Sequence, residues 1–223
     1  WLQHTYKTRW GNPLSPKSAA DYVGYFSTAL NAAVRAEVIP ENPIMTLAPT
    51  ERIKVPESKR EYLTIDEIKA LIDTECPRED VKRAYLFSCY CGLRLSDIYA
   101  LRWKDIFLDG EQYRVSTVMQ KTTTPIYLPL SRHAIRWLPE RNGEGDESKI
   151  FDGLPAEPNI NKVLAKWVET AKIAKKITYH TSRHTFATMM LTLGADLYTV
   201  SKLLGHANVK TTQIYASAPR LVA

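Results

Sequence analysis

The stretch that most restricts how this chain can fold is TERIKVPESKR, residues 50 to 60. It is dense in charge and carries no apolar side chains at helical or strand spacing, so it has no face to bury. The pattern restarts directly behind it. In LTIDEI, Thr64 and Glu67 have the spacing of a capping box, and Leu63 and Ile68 can close a hydrophobic staple around it. A chain interrupted in this way divides into a small helical domain over residues 1–49, a linker over 50–60 and a larger domain over 61–223. With 223 residues, 44% of them hydrophobic, there is ample apolar material for a core.

Local signals assign most elements. SPKSAADYVGYFSTALNAAVRAEV has Ser15 as N-cap and Pro16 at the first helical position, then Val23, Phe26, Leu30 and Val34 at helical spacing, and the IPENP segment ends the helix. In the larger block helices dominate with one interruption. Residues 112–118, QYRVSTV, alternate with Tyr113, Val115 and Thr117 on one face, and residues 125–130 alternate after a turn through Lys121 to Thr124, which predicts an antiparallel β-hairpin. NINKVLAKWVETAKI returns to a helix with Leu164, Trp167, Val168 and Ala171 inward, and Gly194 and Gly205 punctuate two short helices behind it. The expected fold class is therefore mainly α with a small antiparallel sheet.

Thirty Lys and Arg against 24 Asp and Glu leave a net charge of +6, which suits a polyanionic partner such as nucleic acid or an acidic membrane surface. No apolar run approaches the roughly 18 to 20 residues needed to span a bilayer, and the first residues lack a signal-peptide pattern. Cys76, Cys89 and Cys91 form no CxxC pair and read as buried thiols in a reducing, cytoplasmic setting. The chain opens on Trp1 rather than methionine, which reads as a piece of a longer polypeptide.

Four clusters can carry chemistry. In YCGLRLSDIYALRW, Gly92 can end one helix and Ser96 can cap the next, with Arg94 between them. Arg94 has two readings: an ion pair with Asp97, or a guanidinium fork that Asp97 aims outward at an anion. Lys121 in the hairpin turn is either solvated or, if the hairpin leans over a site, a proton donor with a lowered pKa. In YHTSRHTFAT, His180 and His184 have the separation of zinc-protease histidines. Thr181 stands where such a helix needs glutamate and Arg183 would repel a cation, so no metal is expected. His184 reads as a helix-packing residue, while His180 and Arg183 can face one way as donor and anion clamp. Finally, Gly205 permits a left-handed turn, His206 lies in it, Asn208 can cap a short helix and Tyr215 follows. Tyr215 is either a packing ring or a nucleophile among positive groups.

Taken in this order and spacing, Arg94, Lys121, His180, Arg183, His206 and Tyr215 resemble the pattern of tyrosine recombinases of the phage-integrase family: a GLR-S-acidic box, a hairpin Lys, HxxRHTFAT, and LLGH with Tyr nine residues on. The resemblance covers residues 61 to 216 as a catalytic domain, and residues 1 to about 49 resemble the later helices of the family's core-binding domain. It implies site-specific cleavage and rejoining of double-stranded DNA through a 3′-phosphotyrosyl link, with no metal, ATP or other cofactor. Tyr215 would be the nucleophile, Arg94 and Arg183 the phosphate clamp, Lys121 the general acid, His180 the base and His206 a hydrogen-bond donor, with Asp97 in support.

By the same resemblance the two domains would close around a duplex. Lys172, Lys175 and Lys176 read either as phosphate contacts or as a solvated helix face. The full-length protein would self-associate, as a tetramer, on DNA in the nucleoid, with DNA-bending accessory proteins as further partners. After Tyr215 only ASAPRLVA remains, with Pro219 set against a long helix, so either the sequence is trimmed or this member manages without the additional helix that commonly follows the nucleophile in the family. Two rivals remain: a type IB topoisomerase-like enzyme, which shares the chemistry, and a catalytically silent DNA-binding regulator.

Overall fold

The computed structural model describes residues 2, 5–56 and 60–216, so residues 57–59 of the linker and Pro219 with the rest of the tail lie outside the described residues. The chain falls into two compact units, residues 1–59 and 60–223. The first is organised on helix α1, Pro16–Arg35, whose N-cap Ser15 accepts a hydrogen bond from the Ser18 N–H at 3.1 Å. Asn42 of the IPENP segment, only 6% exposed, ties the returning chain to α1: its amide donates to the Ser27 carbonyl and to Asn31 Oδ1, and its own oxygen accepts from the Ile44 N–H. Phe26, expected on the inward stripe, is instead 61% exposed, while Ala19 is buried and Val23, Leu30 and Val34 are half-buried. The inward face of α1 is lined by Ala19, Val23, Leu30 and Val34, and Phe26 lies outside it.

The second unit begins with α2, Ile65–Asp73, closed by the expected capping box: Thr64 Oγ1 accepts from the Glu67 N–H at 3.2 Å and Glu67 Oε2 from the Thr64 N–H at 2.7 Å. Leu63 and Ile68 are both buried beneath it. Helix α3, Glu79–Cys91, runs through the core and stops at Gly92, which has φ 72°. Helix α4, Leu95–Ala100, leads into a three-stranded antiparallel sheet. Its strands are β1 (Ile106–Asp109), β2 (Gln112–Val118) and β3 (Pro125–Pro129), in the order β1-β2-β3. Val115 pairs with Ile106 on one side and Leu128 on the other, so Val115, Ile126 and Leu128 cover the core and Tyr127, of opposite parity, faces solvent, while Tyr113 shares the face of Val115 but is exposed near the start of β2. The predicted hairpin is thus β2 and β3, with β1 added across an Asp109-Gly110 turn in which Gly110 takes φ 61°.

Helices α5 (Arg132–Arg136) and α6 (Glu157–Thr170) complete the flank of the core. In α6, Ile160, Leu164, Trp167 and Val168 are buried, and Trp167 Nε1 donates to the Thr74 carbonyl at 3.1 Å, which holds α6 against the end of α2. Helix α7, Thr181–Thr192, is buried along its whole first two turns, from Thr181 to Thr188, because α3, α8 and the C-terminal turn surround it. Helix α8, Leu197–Leu203, and two 3-10 turns, Val209–Thr211 and Gln213–Tyr215, finish the described chain. Among the described residues no helix is long and apolar enough to cross a membrane.

Candidate active site

The site is assembled around the end of α3. Gly92 turns the chain in the left-handed region, and the next residues expose Arg94, half-buried, at the N-cap of α4. Ser96, expected as that cap, lies inside the first turn instead. Asp97 does the capping from the third helical position: its Oδ2 accepts from the Arg94 backbone N–H at 3.1 Å. Its Oδ1 accepts from the Gln120 N–H at 2.8 Å. Asp97 is 2% exposed and its two oxygens each accept from a backbone donor, and among the described residues no ion pair joins it to the Arg94 guanidinium. The carboxylate acts on geometry. It clasps the Arg94 turn to the strand-connecting loop, one residue before Lys121.

Lys121 is exposed in that loop, at the tip of the β2–β3 connection. Its charge reaches His180, whose pKa lies below the ordinary imidazole value because of burial first and then Arg183, Arg94, Arg60 and Lys121. The root of the loop is fixed by Met119, fully buried, with its sulfur 3.5 Å from Arg94 Nη1 and against Gly205. Gly205 has φ 60°, and a Cβ there would collide with that sulfur.

Arg183 is the central member. It is 2% exposed; Nη1 donates to the Gly92 carbonyl at 2.7 Å and Nη2 donates to the Leu204 carbonyl. One guanidinium therefore joins the last turn of α3, the N-terminal turn of α7 and the end of α8. Burial and the neighbouring Arg94 bring its pKa down to about 10, which still leaves it charged at neutral pH. Arg94, His180 and Arg183 line one small cleft with Leu95 and Ser182. His180 sits at the N-cap of α7, held from below by Tyr179, whose N–H donates to Asn161 Oδ1 at 2.8 Å and whose hydroxyl donates to the Ala84 carbonyl at 2.8 Å.

His206 lies in the turn after Gly205, with Nδ1 2.8 Å from Thr212 Oγ1. Its pKa falls to about 4 through burial, Arg183, Arg94 and His180, so the ring is neutral at pH 7. Tyr215 is 6% exposed and belongs to a small buried cluster with Phe186, Leu191 and Leu204. Burial pushes its hydroxyl pKa up, opposed by Arg183, Arg60 and Arg94. Its oxygen is 2.5 Å from Nδ1 of His184.

The structure thus brings Arg94, His180, Arg183, His206 and Tyr215 into one electrostatic neighbourhood, with Lys121 on the loop beside it. Two members escaped sequence reasoning. His184 is no mere packing residue, since it holds the Tyr215 hydroxyl. Arg60, assigned to the linker, carries a charge felt by His180, His184 and Tyr215. Of the three lysines read as phosphate contacts or a solvated face, Lys175 is committed to the fold: its Nζ donates to Glu67 Oε2 at 2.6 Å and to the Tyr62 carbonyl at 2.9 Å. Lys172 and Lys176 are exposed. Cys89 and Cys91 are buried and their thiol pKa values are pushed up by that burial, Cys91 to about 12, while Cys76 is only half-buried.

Residues 61–220 match the family model described as the phage integrase family. The chain is 30% identical over 222 residues to tyrosine recombinase XerD of Listeria innocua serovar 6a, covering 93% of this chain and 73% of the relative. It is 34% identical over 182 residues to tyrosine recombinase XerC of Pelobacter propionicus, covering 75% of this chain and 59% of that one. Among solved structures, the fold resembles the Tn1549 transposon integrase in complex with circular intermediate DNA, with a TM-score of 0.71, 17% identity and coverage of 94% and 76% of the two chains. A lambda integrase dimer bound to a COC′ core site gives 0.70, 18% identity, and 93% and 76%.

Proposed function

The chain belongs to the phage integrase family, and from that premise we propose that it is a site-specific DNA strand-transferase working through a 3′-phosphotyrosyl intermediate. The observation that carries this reading is the convergence on one hydroxyl: Arg183, Arg60 and Arg94 all act on Tyr215, and Arg183 physically joins the turns that bear Arg94 and His206. A buried phenol that feels the charge of three guanidinium groups is suited to meet a phosphodiester.

In the proposed reaction the Tyr215 oxygen attacks the scissile phosphorus, forming a phosphotyrosyl bond as the bond to the 5′-oxygen breaks. The phenolic proton passes to His180, and Lys121 protonates the departing 5′-oxygen. Arg94 and Arg183 hold the non-bridging oxygens as charge grows on them, and His206 donates a further hydrogen bond. Asp97 keeps the Arg94 turn and the Lys121 loop in register. The bond energy stays in the protein–DNA link, so resealing to another strand consumes no ATP, and two guanidinium groups supply the charge that a metal supplies in many phosphoryl-transfer sites.

Double-stranded DNA is the proposed ligand, supported by the DNA-bound Tn1549 and lambda integrases. Residues 1–49 would serve as part of a core-binding domain, with Lys172 and Lys176 among the phosphate contacts. Self-association on DNA, bending proteins as accessories and a cytoplasmic, nucleoid location belong to the same reading.

A nicked suicide duplex carrying the cognate site tests it. The parent protein should trap covalently and Tyr215→Phe should not; equal trapping by both would overturn the assignment. Lys121 has its own test, because a thiolate leaves without a proton. On DNA with sulfur at the bridging 5′ position, Lys121→Ala should cleave nearly as well as the parent, and failure of that rescue removes Lys121 as the acid.

A further inference from the structure

Residues 181–185 of α7 are fixed in a way that singles out His184. On one side of it Arg183 is anchored to the Gly92 and Leu204 carbonyls, and Ser182 Oγ donates to the Tyr179 carbonyl at 2.7 Å. On the other, Thr185 Oγ1 accepts from the Leu63 N–H at 2.9 Å. The His184 ring is 8% exposed and lies edge-on to His180, with ring centroids 4.7 Å apart. Its Nδ1 is 2.5 Å from the Tyr215 oxygen, with the two rings inclined at 51°. A backbone held on both sides and a ring packed on its face leave this imidazole little freedom to move, so the atom it offers Tyr215 is a fixed point.

We propose that His184 is a positioning residue for the nucleophile: its Nδ1 accepts the Tyr215 hydroxyl and fixes the phenolic oxygen beside the arginine pair before a phosphodiester arrives. This rests on the reading of Tyr215 as nucleophile given above. The bond requires a lone pair on Nδ1 and so a neutral ring protonated on Nε2. Burial, followed by His180, Arg60, Arg183 and His206, keeps the His184 pKa down to about 4, so the ring is neutral throughout the physiological range. The same shift separates positioning from base catalysis. Burial depresses the basicity of His184 and raises the pKa of the Tyr215 hydroxyl, so the proton rests on the phenol and His184 serves to hold its oxygen in place. A phenol left to rotate would have to find its alignment in each turnover, and misplacement on the scale of about 1 Å costs up to roughly 100-fold in rate.

The test compares His184→Leu, which removes the acceptor, with His184→Asn, whose side-chain oxygen falls near the place of Nδ1. Single-turnover covalent trapping on saturating suicide duplex should slow roughly 10- to 100-fold in His184→Leu, with the dissociation constant for DNA unchanged. His184→Asn should recover most of that loss. Full trapping speed in His184→Leu overturns the proposal, as does an Asn variant that folds yet is as slow as Leu. A measurement independent of folding of the Leu variant is ¹⁵N NMR of histidine in the parent and in Tyr215→Phe. The His184 Nδ1 resonance should be that of an unprotonated, hydrogen-bonded nitrogen and should shift when the hydroxyl is removed; an unchanged resonance refutes the bond. Trapping by Tyr215→Phe would defeat the nucleophile reading alone, whereas the NMR result bears on His184 alone.

Discussion

Gly92→Ala probes the joint on which the site is built. Gly92 sits at φ 72°, and a Cβ there would lie 2.5 Å from Phe186 Cδ1, 3.0 Å from its Cε1 and 3.1 Å from Leu204 Cδ2. Phe186 is 4% exposed and Leu204 fully buried, so neither can swing into solvent to relieve the contact. The left-handed backbone costs an alanine about 1–2 kcal/mol, and forcing a methyl into a filled core adds about 1–3 kcal/mol. The sum is roughly 2–5 kcal/mol. Gly153→Ala is the internal reference, because Gly153 has φ 75° and nothing within 4 Å of the added Cβ. It should lose only the backbone part, about 1–2 kcal/mol. Urea unfolding followed by far-ultraviolet circular dichroism reads the two midpoints at constant slope. Equal shifts for the two variants would refute the packing argument, since the backbone part is common to both. Covalent trapping gives a second reading: because the Gly92 carbonyl accepts from Arg183 at 2.7 Å, Gly92→Ala should lose trapping beyond its unfolded fraction, and Gly153→Ala should not.

Other consequences follow from single contacts. Asp97→Asn keeps one acceptor but turns an amide N–H₂ toward a backbone donor, leaving either the Arg94 or the Gln120 N–H unpaired; a loss of about 1–3 kcal/mol in urea unfolding is expected, and unchanged stability would contradict the double clasp. Lys175→Ala should cost about 1 kcal/mol by removing the Glu67 contact, yet leave DNA affinity across a salt series closer to the parent than Lys172→Ala or Lys176→Ala does; the reverse order would mean that Lys175 faces DNA. Acid should destabilise the protein. His184 and His206 fall from 6.5 to about 4 on folding, so as pH drops through 6.5 the unfolded chain takes up protons that the folded chain refuses until about pH 4. Stability is full above pH 6.5 and declines across that window, with the buried His184 alone accounting for on the order of 3 kcal/mol. Urea midpoints measured between pH 7 and pH 4.5 check this, and a flat or rising series would refute it.

Signals confined to a few neighbouring residues were legible. Ser15 with Pro16, and Thr64 with Glu67, are hydrogen-bonding arrangements that the first turn of a helix creates by itself, so their spacing suffices. Gly92 and Gly205 mark backbone that only glycine enters easily. Elements whose identity depends on distant partners were less so. Strand β1 is four residues long and becomes a strand because β2 is there to pair with it. Helix α7 shows no clear apolar face because it is buried on several, and periodicity detects one.

The same division runs through the site. The residue types and order were visible, but their contacts were not. Asp97 is three residues from Arg94, which invites a side-chain ion pair, and only the fold shows its second oxygen taken by Gln120, 23 residues away. Lys175 meets Glu67 across 108 residues. His184 stands four residues from His180, and local reasoning could weigh only that pair; its partner Tyr215 lies 31 residues on and returns through two 3-10 turns.

The most direct measurement of the central claim is the chemical address of the covalent bond. Protein trapped on suicide duplex, digested with nuclease and protease and sequenced by tandem mass spectrometry, should carry its nucleotide remnant on the phenolic oxygen of Tyr215 through a 3′-phosphate. A remnant on any other side chain, or joined through a 5′-phosphate, would contradict the account.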